Sequence, residues 1–224
     1  MIYSESKAKM NIQQLINGTV YLQAPLKAFE LDSRILEEKY NLRVRQLDYN
    51  NESDLETWIS IIHTSYDDCC FTIDSARDYL VNHPFLDETQ TFVFQEVSGN
   101  HGRGGEVATV SIGLYKTNPR VGGDFRIGVT RPVQGLGYGR LCILYAFSQL
   151  AAMGVKYGES AIAFKRKESL YLHYALGFRP QTNLRFLANQ SSNKFLKKRN
   201  IILKYRLIKS YKDFQRNERK HYLK

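Results

Sequence analysis

The sequence predicts a mixed α/β fold, a central mixed β-sheet with helices packed against it. Three observations carry that expectation. Short runs alternate apolar and polar residues, longer runs between them repeat their apolar residues at helical spacing, and one strand passes through a glycine-rich loop straight into a helix. The chain is 224 residues long, 43% hydrophobic and 24% charged, which is close to the globular average and enough to bury a core as one domain.

The elements follow in order. Residues 1–40 belong to no recognisable motif and read as an N-terminal arm that caps the fold or pairs with a second copy to form a homodimer. Within it Thr19–Gln23 has strand character, and Phe29–Tyr40 places Phe29, Leu31, Ile35, Leu36 and Tyr40 at helical spacing. Leu42–Leu47 alternates as a half-buried strand does. Asn51–Asp54 offers helix-cap chemistry before Leu55–Tyr66, whose Leu55, Trp58, Ile59, Ile61 and Ile62 form one apolar stripe with Trp58 in the core. A second helix is expected over Asp74–Val81, capped by Thr72 or Asp74 and stopped by Pro84. Thr89–Val97 and Glu106–Lys116 read as strands joined by the flexible loop Ser98–Gly105, and Lys116–Gly123 reads as a turn.

The stretch Asp124–Gly154 organises the rest. A strand, Asp124–Thr130, breaks at Pro132, passes the alternate glycines Gly135, Gly137 and Gly139, and becomes an amphipathic helix that stops at Gly154. Glycines let a backbone approach a ligand closely, and a helix N-terminus presents unpaired N–H groups to an anion. A pyrophosphate suits that arrangement. The Lys-[Ser/Thr] pair of a P-loop is missing, because Arg140-Leu141 follows Gly139. A Rossmann fingerprint would need its glycines directly at the strand end, whereas Thr130–Gln134 intervene; Glu159, about twenty residues beyond Gly139, is the feature that keeps this alternative open. Beyond the helix, Tyr157–Phe164 is a strand and Lys165–Leu176 a helix ending at Gly177, which suits left-handed backbone. Asn183–Ala188 and Ile201–Ile208 supply the last strands, with fraying expected only near Lys212.

Gln134-Gly135-Leu136-Gly137-Tyr138-Gly139 resembles the [RQ]-x-x-G-x-[GA] loop of the GNAT superfamily, the acyl-CoA-dependent N-acyltransferases. A second block, Ser169–Phe178 (SLYLHYALGF), resembles that family's A-x-x-L-Y-x-x-x-G-F segment, and the likeness spans roughly Leu42 to Pro180. It implies a single GNAT-like domain over 41–210, splayed between its fourth and fifth strands, with an arm over 1–40 and a basic tail over 211–224. It implies acetyl-CoA as co-substrate, held by main-chain groups of Ile127 and Val129 and by the loop Gln134, Gly135, Leu136, Gly137, Tyr138, Gly139 and Arg140. Arg140 or Arg131 would add charge-assisted bonds to phosphates. Tyr66, Asp67, Asp68, His83 and Phe85 fall where that family lines its acceptor site.

The reaction so implied is direct attack by an amine on the thioester in a ternary complex. An amine with a pKa of about 10.4 must lose a proton and the departing CoA thiolate must gain one. The family's tyrosine acid is replaced here by His173, so His173, Tyr174 or solvent can fill the role. The glutamate that some members use as base is missing too, and Asp124 is the nearest carboxylate, acting through water or simply solvated.

Charge and cysteines bound the partners. The net charge of +10 is segregated, since residues 194–224 hold twelve Lys and Arg against Asp213 and Glu218, while the other 193 residues balance twenty basic with twenty acidic groups. A basic tail interleaved with Phe195, Tyr205, Tyr211, Phe214 and Tyr222 admits a second reading, an RNA-associated acyltransferase acting on an aminoacyl-tRNA. A third is a CoA-binding module that has lost catalysis. Three cysteines, Cys69, Cys70 and Cys142, argue against a disulfide framework and for a reducing cytoplasm, with Cys142 buried in the helix after the loop. The five histidines are widely spaced, so no metal is expected. No apolar run reaches the roughly 20 residues that span a bilayer, and no membrane partner is expected.

Overall fold

A computed structural model describes residues 19–26, 30–66, 69–97, 105–163, 166–180 and 209–218. The class is mixed α/β, as the alternation of patterns requires. The strands are β1 (Thr19–Pro25), β2 (Leu42–Gln46), β3 (Leu86–Glu96), β4 (Glu106–Tyr115), β5 (Asn118–Val129), β6 (Tyr157–Ala163) and the short β7 (Arg179–Pro180). The helices are α1 (Ser33–Tyr40), α2 (Glu52–Ser65), α3 (Ile73–Val81), α4 (Tyr138–Ala152) and α5 (Lys167–Ala175). The chain divides into two compact units, residues 25–158 and residues 1–24 with 159–224.

In the larger unit β2, β3, β4 and β5 form a continuous antiparallel sheet. The helices on it start where the sequence supplies acceptors for orphan N–H groups. Asp32 caps α1, Asn51 caps α2, and Thr72 with Ser75 closes a reciprocal capping box on α3. Their apolar stripes then bury Leu55, Trp58, Ile61, Ile62, Ala76 and Leu80 together with Val93 of the sheet. Trp58 is fully enclosed, edge-on to Phe71 at 5.0 Å. Helix α4 packs on β4 and β5 and buries Cys142 completely, which drives its thiol pKa upward by desolvation. Tyr145 from α4 meets Phe92 and Phe94 edge-to-face at 5.2 and 5.6 Å.

The expected turn over Lys116–Gly123 is a correction. The hairpin is tight, with Tyr115 paired to Asn118, and β5 already runs through Gly122 and Gly123. Glycines there read as punctuation, but Gly122 serves packing, since a Cβ on it would lie 2.6 Å from Leu150 of α4.

In the smaller unit β6, β1 and β7 lie side by side, and Gln23 donates to Glu159 across 3.0 Å. Residues 209–218 are helical, widening to a π-type turn over Phe214–Glu218, and Phe214 is buried against Tyr171 and Tyr174. Fraying near Lys212 is therefore replaced by a packed helical segment. The strands expected over 183–188 and 201–208 lie outside the described residues.

Candidate functional site: the edge of a bulged strand and its glycine loop

The site in the larger unit is built on β5. Its register with β4 shifts between Ser111, opposite Arg126, and Ile112, opposite Asp124, which makes Phe125 the extra residue of a β-bulge. Opposed residues of an antiparallel pair share a face, so Asp124 and Arg126 point to opposite sides of the sheet although they are two apart in sequence. Asp124, Ile127 and Val129 share the α4 face. Arg126 and Gly128 face α2, where a Cβ on Gly128 would approach Ile62 to 2.9 Å and Ser65 to 3.1 Å.

Beyond the bulge, the amide of Thr130 donates to Val107, which turns the backbone groups of Ile127 and Val129 to the edge away from β4. Side chains occupy the carbonyls along that edge. Tyr79 donates to Phe125 at 3.3 Å, Tyr66 donates to Ile127, and the Gln134 amide donates to Val129 at 2.9 Å. The main-chain amides of Ile127 and Val129 lie on the same edge.

Past the strand, Arg131–Val133 makes one 3-10 turn, and Gly135 and Gly137 adopt φ of +84° and +94°. An added Cβ at either glycine meets nothing within 4 Å, so backbone conformation requires them and the space above them is open. The amides of Gln134 and Leu136 are used inside the turn, whereas those of Gly135, Gly137, Tyr138 and Gly139 make no backbone bond among the described residues. Gly137 caps α4 without a side-chain acceptor. Four N–H groups at the positive end of a fifteen-residue helix, with Arg131 exposed and Arg140 half-buried beside them, can take a multiply charged anion. Leu136 is exposed on the loop. The Tyr138 side chain turns inward instead, its hydroxyl donating to the buried Glu96 while burial raises its pKa, so only its amide is available to a ligand.

His173 and Tyr174 belong to the smaller unit. His173 is 1% exposed and both its ring nitrogens are engaged. Nδ1 is 2.8 Å from the Ser169 carbonyl, which only accepts, so Nδ1 carries the proton and Nε2 accepts from Ser160 at 2.9 Å. Burial pulls its pKa down to about 4, with the Ser169 bond opposing the shift. A neutral imidazole so held has no proton to release at neutral pH. The Tyr174 hydroxyl is buried and makes no hydrogen bond of normal geometry among the described residues. Desolvation pushes its pKa up to about 12, and the nearby Ser210 side chain works the other way. Tyr211 stacks edge-on against Tyr174 at 5.0 Å with Arg179 over its ring, so this part of the basic tail is a packing element. Asp67 and Asp68 lie outside the described residues.

Two features of this strand escape a reading by motif, the bulge and Arg126. A lone arginine inside the apolar run Phe125–Val129 is the signal for the second.

No family model and no curated protein matches the sequence. Solved structures do match the fold. The GCN5-related glucosamine N-acetyltransferase region of a fungal multi-domain GH3 beta-N-acetylglucosaminidase superposes with TM-score 0.51 at 14% identity, over 73% of this chain and 20% of that one. A GCN5-related N-acetyltransferase from Sphaerobacter thermophilus gives 0.51 at 14%, over 73% and 48%. The chain has the GNAT fold. A tandem GNAT protein from the clavulanic acid biosynthesis pathway gives 0.51 at 13% identity, over 72% of this chain and 50% of that one. The chain thus spans a fifth to a half of the length of these three GNAT-fold chains. Among the described residues no group of three or more His, Cys, Asp or Glu could hold a metal ion, and no helix is long and apolar enough to cross a membrane.

Proposed function

We propose that the chain is an acetyl-CoA-dependent N-acetyltransferase that moves an acetyl group to a primary amine by direct attack in a ternary complex. The observation that carries this reading is the run of unengaged amides at Gly135, Gly137, Tyr138 and Gly139 at the head of α4, in a GNAT fold. Those amides take the pyrophosphate, with Arg131 and Arg140 adding charge. The amides of Ile127 and Val129 bind the pantetheine arm, and that of Val129 donates to the thioester oxygen as charge develops on it. Positioning the two reactants can itself supply a large part of the barrier reduction.

Proton transfers are left mainly to water. His173 is neutral, and a Tyr174 phenol near 12 is a weaker acid than a thiol, whose ordinary pKa is about 8.5, so its transfer to the departing thiolate runs uphill. Asp124, on the α4 face, makes no direct contact with the amine under this reading; Asp124→Asn should lower kcat by less than about tenfold, where a true general base is worth far more.

The test is thermal stability with acetyl-CoA, CoA and NAD. A ligand at a hundred times its Kd should stabilise the fold by about 2.7 kcal/mol, a shift of several degrees. Acetyl-CoA and CoA should raise the midpoint, Gly137→Glu should abolish the effect, and NAD should do nothing. A shift with NAD alone, or with none of the three, overturns the reading.

A further inference from the structure

A charged side chain in the larger unit is left over by this account. The Arg126 guanidinium stands among three rings, 5.2 Å from the centroid of Tyr79, 5.4 Å from Tyr66 and 5.8 Å from Phe71. The guanidinium donates to the Cys69 sulfur at 3.8 Å, a weak acceptor, and the Tyr79 hydroxyl gives it a further neutral partner. Nε is buried with no acceptor among the described residues. Burial works against the charge, but the phenols of Tyr79 and Tyr66 and the Cys69 thiol outweigh it and hold the pKa above its ordinary value, so the group stays cationic.

Ring faces offset part of the cost of burying a guanidinium, yet they offer no lone pairs to its five N–H groups. The usual answer is a carboxylate. Asp124 would stand on the same face were β5 regular, and the bulge at Phe125 sends it to the other one. The cation is thereby held next to Ile127 in sequence, on the same strand as the amides assigned to the thioester, and Arg126 as a residue is half-buried. We infer that Arg126 binds a carboxylate of the amine acceptor, so that the substrate class is carboxylate-bearing primary amines such as amino acids, with the aromatic walls of Tyr66, Phe71 and Tyr79 flanking the bound group. A planar carboxylate matches the guanidinium fork in two parallel bonds, which a spherical anion does not. This inference rests on the acyltransferase reading for the word acceptor; the anion site itself does not.

The experiment uses the full chain and matched pairs of amines that differ only in the carboxylate, lysine with cadaverine and tyrosine with tyramine. The first readout is the thermal midpoint with each compound in the presence of CoA, which needs no turnover. The second is acetyl transfer from acetyl-CoA. The amino acids should raise the midpoint and show a KM lower than their decarboxylated partners. Arg126→Met should abolish that midpoint shift and raise KM for the amino acids about thirtyfold or more, with kcat and the decarboxylated amines little changed. Arg126→Lys, which keeps the charge and loses the fork, should fall between, and it remains informative if Arg126→Met does not fold. Equal handling of both members of each pair by the wild-type protein overturns the proposal, as does an undiminished preference in Arg126→Lys and Arg126→Met. A midpoint raised by amino acids without any acetyl transfer would sustain the anion site and overturn the acyltransferase reading instead.

Discussion

At the scale of single residues, the neutral state of His173 makes a prediction about pH. Its pKa falls from about 6.5 in the unfolded chain to about 4 in the folded one, so the unfolded state binds the extra proton between those values. The stabilisation from keeping it neutral is complete above pH 6.5 and is lost as pH falls toward 4, by on the order of 3 kcal/mol. Urea unfolding across pH 4 to 7 should show that slope in the wild-type protein, and His173→Gln should flatten it; an unchanged slope would mean that the imidazole is accessible to protons after all. His173 also shows why residue roles were less legible than residue positions. The motif placed it on the right helix, but the partners that fix its proton, Ser160 and Ser169, come from tertiary packing and one helical turn. Tyr138 repeats the lesson, since nothing near it in sequence announces Glu96, 42 positions away.

At the scale of elements, the two kinds of glycine in and after β5 should behave differently. Gly128→Ala must push Ile62 or Ser65 aside, and overpacking of that kind costs typically 1–3 kcal/mol, read as a lower urea midpoint. Gly137→Ala has open space and pays only for its positive φ, of order 1 kcal/mol, while leaving the loop amides in place for CoA. The elements were mostly legible because local chemistry writes them. Asn51, from the stretch 51–54 expected to offer a cap, caps α2; Thr72, one of the two candidates with Asp74, caps α3; and Gly154 and Gly177 take positive φ where α4 and α5 end. The turn over 116–123 misled because glycines in a strand look like punctuation until the helix above them is known. No alternation pattern betrays a bulge, since one inserted residue simply makes the period look irregular.

At the scale of the whole molecule, the uneven charge invites a nucleic-acid partner, and the structure redirects part of that signal. Tyr211 and Phe214 are committed to Tyr171, Tyr174 and Arg179, so they are not free to stack on bases. A tRNA gel shift seen at low salt should therefore disappear by about 200 mM, the behaviour of phosphate contact alone, and a shift that survives would revive the RNA reading. Phe214→Ala should cost about 3–5 kcal/mol in the thermal or urea transition, as large-to-small changes at buried aromatics do. The bulge at Phe125 finally acts like a frameshift in a message read two letters at a time. Residues 122–124 and 126–129 are written in different frames, and drawing the extra letter into regular pairing, so that all are read in one frame, would return Asp124 to the side of Arg126 and fill, from within the chain, the place we assign to the substrate.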